Sequence, residues 1–542
     1  MFRYTLSALA VVFICLLVQS IAFADVKVAS IFNDHMVLQR EKTVPVWGTA
    51  AVDEKVTVKF AGQEKSVVAD KDSKWMVKLD ALKTGGPEVM TITGKNTVTI
   101  NDVLIGEVWI GSGQSNMAMN VASFSGNDPV LAEAAKKTYP KLRMLVMPNM
   151  RWVEASDSKN INNYSALLFA FGYQLQKALG EDVPIGLMAS ANGGTASGMW
   201  VNSQPLIDDP ACQESVKKYV ASGQYDVLMK RYQDDLAKWE KDVADLKAKA
   251  DAEPAPVVDP NAPAATTPVK KELKLPNKPG QPQKPGDFGW AGSLYKQKIV
   301  PLIPYAIRGI LWDQGEAGSG FVGADNYPVM GVLFKSWRND WKTAAGDDKA
   351  GDFPFLYVQK PSGGGCAFDL TNPVTIKGEK LAPLPKDVPG FDGNRELYAR
   401  LLDYPNVWIV QSSDLGKDTH PVNKSGYGAR AVQVALGSTY SKKVETNGPI
   451  FKLLKIEDNK IRLEFTHAGQ GLTPGQSDKL QGFAIAGEDK KFVWGDAVID
   501  GQTVVVSSDK VAKPTAVRYF GVSFCNLFNK DGLPALIFRT DK

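Results

Sequence analysis

The sequence predicts an α/β protein: an open, largely parallel sheet covered by helices on both faces, with small β-sandwich-like regions before and after it. Three observations predict this. Residues 25 to about 100, and again from about 446, carry short runs in which apolar and polar residues alternate at period two. Between about 103 and 440, strand-like runs alternate with helical ones. Several of those central strands end in glycine and polar residues, at the carboxyl ends where open α/β sheets build their sites.

The elements follow in order. "MFRYTLSALAVVFICLLVQSIAFADVKVAS" has one early cation, Arg3, an apolar core and Ala-Phe-Ala at 22–24. This is the layout of a secretory signal over 1–24 with cleavage after Ala24, so the chain is expected to be secreted or periplasmic. No later stretch reaches the roughly 18–20 apolar residues of a membrane span. Residues 25–100 ("KTVPVWGTA", "EKVTVKFAG", "WMVKL") read as an N-terminal β-sandwich domain. The central domain, 101–440, takes its strands from "VLIGEVWIG", "LRMLVMP", "VPIGLMASA", "AIRGILWDQ", "FPFLYVQ" and "NVWIVQ". Its helices come from "SALLFAFGYQLQKALG", "YPVMGVLFKSWRNDWKT" and "YGARAVQVALGSTY". An insertion at 226–286 interrupts it with a charged surface helix. A Pro-, Ala- and Lys-rich stretch over 253–286 follows, which lacks the apolar surface to offset ordering and reads as an extended or flexible excursion. Strands return in a C-terminal β-domain, 441–542.

Composition narrows the function. Hydrophobic content of 44% and charged content of 23% suit a globular chain, and 63 basic against 59 acidic residues leave a net charge of only +4. No basic stripe with interleaved aromatics is present, which argues against nucleic acid as a partner. Cys15 leaves with the signal, so Cys212, Cys366 and Cys525 can form at most one disulfide. No Cys-x-x-Cys or His cluster suggests a metal.

"IGSGQSNMAMN" at 110–120 sets Ser115 in a glycine-bounded turn after an apolar strand, where a nucleophile can be exposed. Only three histidines could serve it as a base. His467, at the end of a C-terminal strand, and His35, in the N-terminal β-region, are expected to be structural. His420, in "QSSDLGKDTHPVNKSGYGAR", follows the late strand "NVWIVQ" and belongs on the same sheet edge as Ser115. Asp418 stands two residues before it. Pro421 favours an extended His420, and in an extended loop residues i and i+2 face the same side. Asp414 is the rival orienting acid. Gly193 and Gly194 in "SANGGTASGMW", with Gln314 in "RGILWDQGEAGSG", could donate hydrogen bonds to an oxyanion.

The blocks "GEVWIGSGQSNM", "GGT", "RGILWDQGE", "HPVNK" and "GLPALIFRTD", with "FNDHMVLQR" near the start, resemble the sialate O-acetylesterase group of SGNH-type carbohydrate esterases. The resemblance runs with gaps from about residue 29 to 541. It implies an SGNH-hydrolase-like three-layer α/β/α domain and a serine esterase that removes O-acetyl groups from sugars and needs no metal or organic cofactor. Carried over by position, Ser115 would be the nucleophile, His420 the base and Asp418 the orienting acid. The Ser115 N–H, Gly193, Gly194 and Gln314 would form the oxyanion site, with Asn116, Glu316 and Trp200 against the substrate. The chain departs from the family at Asp313, where an aromatic or His is usual, and around "GGT" and "AGSG". A carboxylate at 313 is expected to disfavour an anionic sialic acid. The alternatives are an acetyl-polysaccharide (xylan-type) esterase with the same reacting groups, a non-catalytic carbohydrate-binding protein on the same fold, and an envelope adhesion protein.

Overall fold

The computed structural model describes residues 25–252 and 273–541. The expected signal, 1–24, and residues 253–272 of the insertion lie outside the described residues. The chain divides into two compact units. One holds the described residues up to Gly194, Lys298–Gln314, and Arg338 onward; the other holds Thr195–Gln297 and Gly315–Trp337.

The first unit is organised by a seven-strand run. Its strands are β1 (Thr97–Gly113), β2 (Tyr139–Val146), β3 (Arg151–Ala155), β4 (Ile185–Ala191), β5 (Gly309–Asp313), β6 (Phe355–Val358) and β7 (Val407–Val410). They lie in the order β3-β2-β4-β1-β5-β6-β7. All neighbours pair in parallel except the β2/β3 hairpin at one edge. From β1 the chain fills one side with β2, β3 and then β4, which returns beside β1, and later the other side with β5, β6 and β7, so the ends of β4, β1 and β5 flank a topological switch point.

β1 explains a difference from the expected domain boundaries. Its first residues alternate between exposed and buried, and its last eleven are all buried. The amino-terminal part pairs antiparallel with Gly85–Thr93 in the N-terminal β-region, with one face open to water. The carboxyl-terminal part sits mid-sheet with both faces covered, which requires a continuous apolar run. The expected boundary at 100/101 therefore falls inside a single strand.

Four helices of this unit matter for the site: α1 (Ser115–Ala118), α2 (Pro129–Ala134), α3 (Ala166–Leu179) and α4 (Lys424–Ser438). Ser165 caps α3 by accepting the Leu168 N–H at 3.2 Å. Asn423 caps α4 by accepting the Gly426 N–H at 3.0 Å. α3 and α4 pack closely because Gly428 has no side chain; a Cβ there would lie 2.7 Å from the backbone of Ala170. Both helices share a core with Trp109, Leu187, Leu311, Leu356 and Val410 of the sheet.

"FNDHMVLQR" locks the N-terminal region to β1. Gln39 accepts the Val108 N–H at 2.8 Å. Glu107, fully buried, receives Arg40 Nε and Arg308 Nε at 2.6 Å each. His35 stands 2.6 Å from Asp102 in a left-handed backbone position, and His467 stands 2.6 Å from Glu445. Toward the C-terminus, two antiparallel four-stranded sheets share a core that includes Ile461, Leu463, Phe483, Ile485, Val504 and Tyr519.

The second unit contains the expected charged helix, Gln224–Ala252, of which only Val243 is buried. The described part of the Pro- and Lys-rich stretch, 273–286, carries no helix or strand. It is anchored on that helix by a hydrogen bond from Trp239 Nε1 to the Pro276 carbonyl, 2.8 Å, and by Lys278 over the indole.

Among the described residues the three cysteines are free and buried. Burial pushes the thiols of Cys212 and Cys525 up to about 12 and that of Cys366 up to about 11. A raised thiol pKa leaves almost no thiolate at pH 8, and the thiolate is the nucleophile. Iodoacetamide at pH 8 should therefore label none of the three in the native protein and all three in urea, as read by intact mass. Rapid native labelling of any of them would contradict the packing.

Candidate active site

The parallel register brings three strand ends together. Gly113 of β1 is opposite Ala191 of β4 on one side and Asp313 of β5 on the other. The Gln114 N–H donates to the Asp313 carbonyl at 2.9 Å, and the Asn192 N–H to the Gly113 carbonyl at 3.0 Å. Gly113, at φ +127, cannot be replaced cheaply, since a Cβ would lie 2.2 Å from the Asp313 carbonyl oxygen. The chain then turns straight into α1, and Ser115 is the first helical residue.

His420 arrives from the loop after β7. Its Nε2 lies 2.8 Å from Ser115 Oγ, across 305 residues of sequence. Three polar residues, Asn116, Asp128 and Asn423, hold that loop and the start of α4. Asn116 donates from Nδ2 to the Thr419 carbonyl at 2.8 Å and accepts Lys424 Nζ on Oδ1 at 2.7 Å. Asp128, at the start of α2, accepts both the N–H and the hydroxyl of Ser425 at 2.7 Å each. Asn423 also donates to the Val374 and Leu415 carbonyls, at 2.8 and 3.1 Å. "GQSNM" and "HPVNK" thus interlock through buried polar groups. Asp128, Asn423 and Lys424 were not singled out in the sequence. An Asn immediately before a helical run is a cap signal that could have marked Asn423.

On the β4 side, Gly193 lies against Ser115: a Cβ on it would be 3.6 Å from Ser115 Cβ. The backbone N–H groups of Ser115 and Gly193 have no acceptor among the described residues. Gly194 is exposed at φ +69, and Gln314 is fully buried at the end of β5.

Four expectations are corrected. Asp418 is exposed, and among the described residues no hydrogen bond joins it to His420. Its φ of +107 bends the loop, so the same-side rule for extended chains does not apply. The rival acid, Asp414, is engaged elsewhere, in a buried two-point pair with Arg430 at 2.8 and 3.1 Å. Asn116 is 1% exposed and acts as a strut for the His420 loop, not a substrate contact. Trp200 is wholly buried in the second unit, where its Nε1 donates to Thr195 Oγ1 at 3.0 Å, so it offers no face to a substrate. Finally, Asp313 is wholly buried with Lys360 Nζ 2.7 Å away, so it presents no open charge to an anionic sugar. Glu316 is exposed in the second unit.

The chain is similar to several known proteins. A family model described as carbohydrate esterase, sialic acid-specific acetylesterase, matches residues 105–265. The orangutan (Pongo abelii) sialate O-acetylesterase is 34% identical, over 95% of this chain and 93% of its own. The chain belongs to the sialate O-acetylesterase family. The mouse family member is 28% identical over 62% of this chain, and the match spans 60% of the mouse chain's length. Among solved structures, a carbohydrate acetylesterase from Xanthomonas citri is 26% identical with a TM-score of 0.66, covering 95% of this chain and 100% of its own.

The interlock makes a direct prediction. Asn116→Ala removes this partner from the wholly buried Lys424 Nζ and from the Thr419 carbonyl. That should cost about 1–3 kcal/mol in urea denaturation and lower ester turnover through the loosened His420 loop. Wild-type stability and turnover together would contradict the role of Asn116.

Proposed function

We propose that this protein is an exported serine esterase that removes O-acetyl groups from sialic acid or a related carbohydrate. One observation carries the reading: Ser115 Oγ and His420 Nε2 lie 2.8 Å apart at a switch point of the sheet. The names of its relatives support the ester chemistry and the sugar class. The reading of residues 1–24 as a secretory signal supports export, and no helix among the described residues is long and apolar enough to cross a membrane. Helices against a parallel sheet, with this site at its carboxyl edge, support an SGNH-like three-layer domain.

In the proposed reaction, Ser115 Oγ attacks the acetyl carbonyl carbon while its proton passes to His420 Nε2. Negative charge on the carbonyl oxygen is met by the N–H groups of Ser115 and Gly193, with Gly194 and Gln314 as the further expected donors. The sugar oxygen leaves with the proton from His420, giving an acetyl-Ser115 ester. Water, deprotonated by His420, then releases acetate and restores the hydroxyl. No step calls on a metal or organic cofactor.

The test is acetate release from O-acetylated sialic acid, acetylated xylan and a simple aryl acetate by residues 25–542. Ser115→Ala should lower turnover by several orders of magnitude, about 10³-fold or more. The preferred substrate decides between sialate and polysaccharide. Equal release by wild type and mutant would contradict the reading, and a protein that binds the sugars without hydrolysing them would make it a binding protein. Asp418→Asn should leave turnover within about a few-fold of wild type, well short of the roughly 10⁴-fold known where a carboxylate is fully engaged with the base. A loss on that larger scale would show that Asp418 turns onto His420 when substrate binds.

A further inference from the structure

Beneath the Ser115 turn lies a buried ion pair that the reaction scheme does not use. Asp313 ends β5 and Lys360 follows β6, its neighbour in the sheet. Their side chains are 1% and 2% exposed, with Lys360 Nζ 2.7 Å from Asp313 Oδ1. Among the described residues neither carboxylate oxygen accepts a hydrogen bond of good geometry, so charge holds the pair together. Lys360 also donates to Ser362 Oγ at 3.2 Å. Tyr427 on α4, fully buried and pushed up to about 12 by burial, feels both charges and the hydroxyls of Ser362 and Ser412.

As a stabilising device this arrangement is poor. Two charges taken out of water cost several kcal/mol, and buried pairs can often be exchanged for apolar residues at no loss. Its position is more informative. The Asp313 carbonyl receives the Gln114 N–H, one residue before Ser115, and Gly113 is pressed against the Asp313 backbone. Gln314, an expected oxyanion donor, comes next in sequence. Resting on the esterase reading above, we propose that the Asp313–Lys360 pair is a positioning device that fixes the exit of β5 against the nucleophile turn. It would set where Gln114, Ser115 and Gln314 stand relative to one another. Small misplacements of such groups are enough to lower rates markedly while leaving substrate affinity intact.

The test uses Asp313→Asn, Lys360→Gln and the double variant, in which the pair is neutral and no charge is buried alone. Two quantities are read: kcat and KM on an aryl acetate, and amide hydrogen exchange in peptides covering 112–118, with 461–466 in the C-terminal sheet as reference. In the double variant we expect kcat to fall about tenfold or more with KM within about twofold. Exchange should rise in 112–118 and not in 461–466. Wild-type exchange across 112–118 would overturn the proposal, as would an equal rise in both peptides, which marks general destabilisation. A rise in KM alone would also overturn it, since the carboxylate would then meet substrate. A wild type inert on every ester, with the local exchange change intact, would remove the esterase reading and leave the positioning role standing.

Discussion

The hydrogen bond from Asn116 to the Thr419 carbonyl is the constraint on which the site depends. Ser115 is placed by the sheet, because it follows the central strand directly. His420 belongs to a loop that would otherwise be free to take many conformations, and ordering such a loop costs entropy. Asn116, the residue after Ser115, ties that loop to the Ser115 turn. Lys424, held on the other atom of the same amide, ties in the start of α4. One buried side chain thereby brings into register two segments that are 305 residues apart.

The surroundings are consistent with that demand. Asp128 grips Ser425, Asn423 caps α4 and reaches two loop carbonyls, and Asp414 pairs with Arg430 further along the helix. Breaking such a buried pair from one side costs about 3–5 kcal/mol, since the remaining charge is stranded. These polar groups fix direction, while the apolar contacts of α3 and α4 with the sheet supply the bulk of the burial. The strand ends provide the fixed side of the site and the α4 loop the held side.

Much of this was legible in the sequence for identifiable reasons. Mid-sheet strands are buried on both faces and read as largely apolar runs, so "VLIGEVWIG" and "RGILWD" are plain in spite of Glu107 and Asp313. Ser115 stood out by its flanking glycines, and His420 by the scarcity of histidine. The limits have physical causes too. β1 passes from a half-exposed sheet to a covered one, and that change of pattern resembles a domain boundary. Asp418 fits the orienting role only in an extended loop, and its positive φ is not something that spacing reveals. Asn116 and Trp200 are polar or amphipathic residues near a motif, and sequence alone does not separate a buried strut from a ligand contact. The Asp313–Lys360 pair joins the end of one strand to the loop after its neighbour, so it becomes visible only once the strand order is known.

The most direct test of the account is mass-spectrometric mapping of an organophosphate on wild type and on His420→Ala. The reagent reports on the serine itself, whatever the natural sugar. The account predicts one phosphonyl group on Ser115 in the wild type and almost none in His420→Ala at equal exposure, because the imidazole 2.8 Å from Oγ removes the proton. Equal labelling of the two proteins, or labelling that bypasses Ser115, would contradict it.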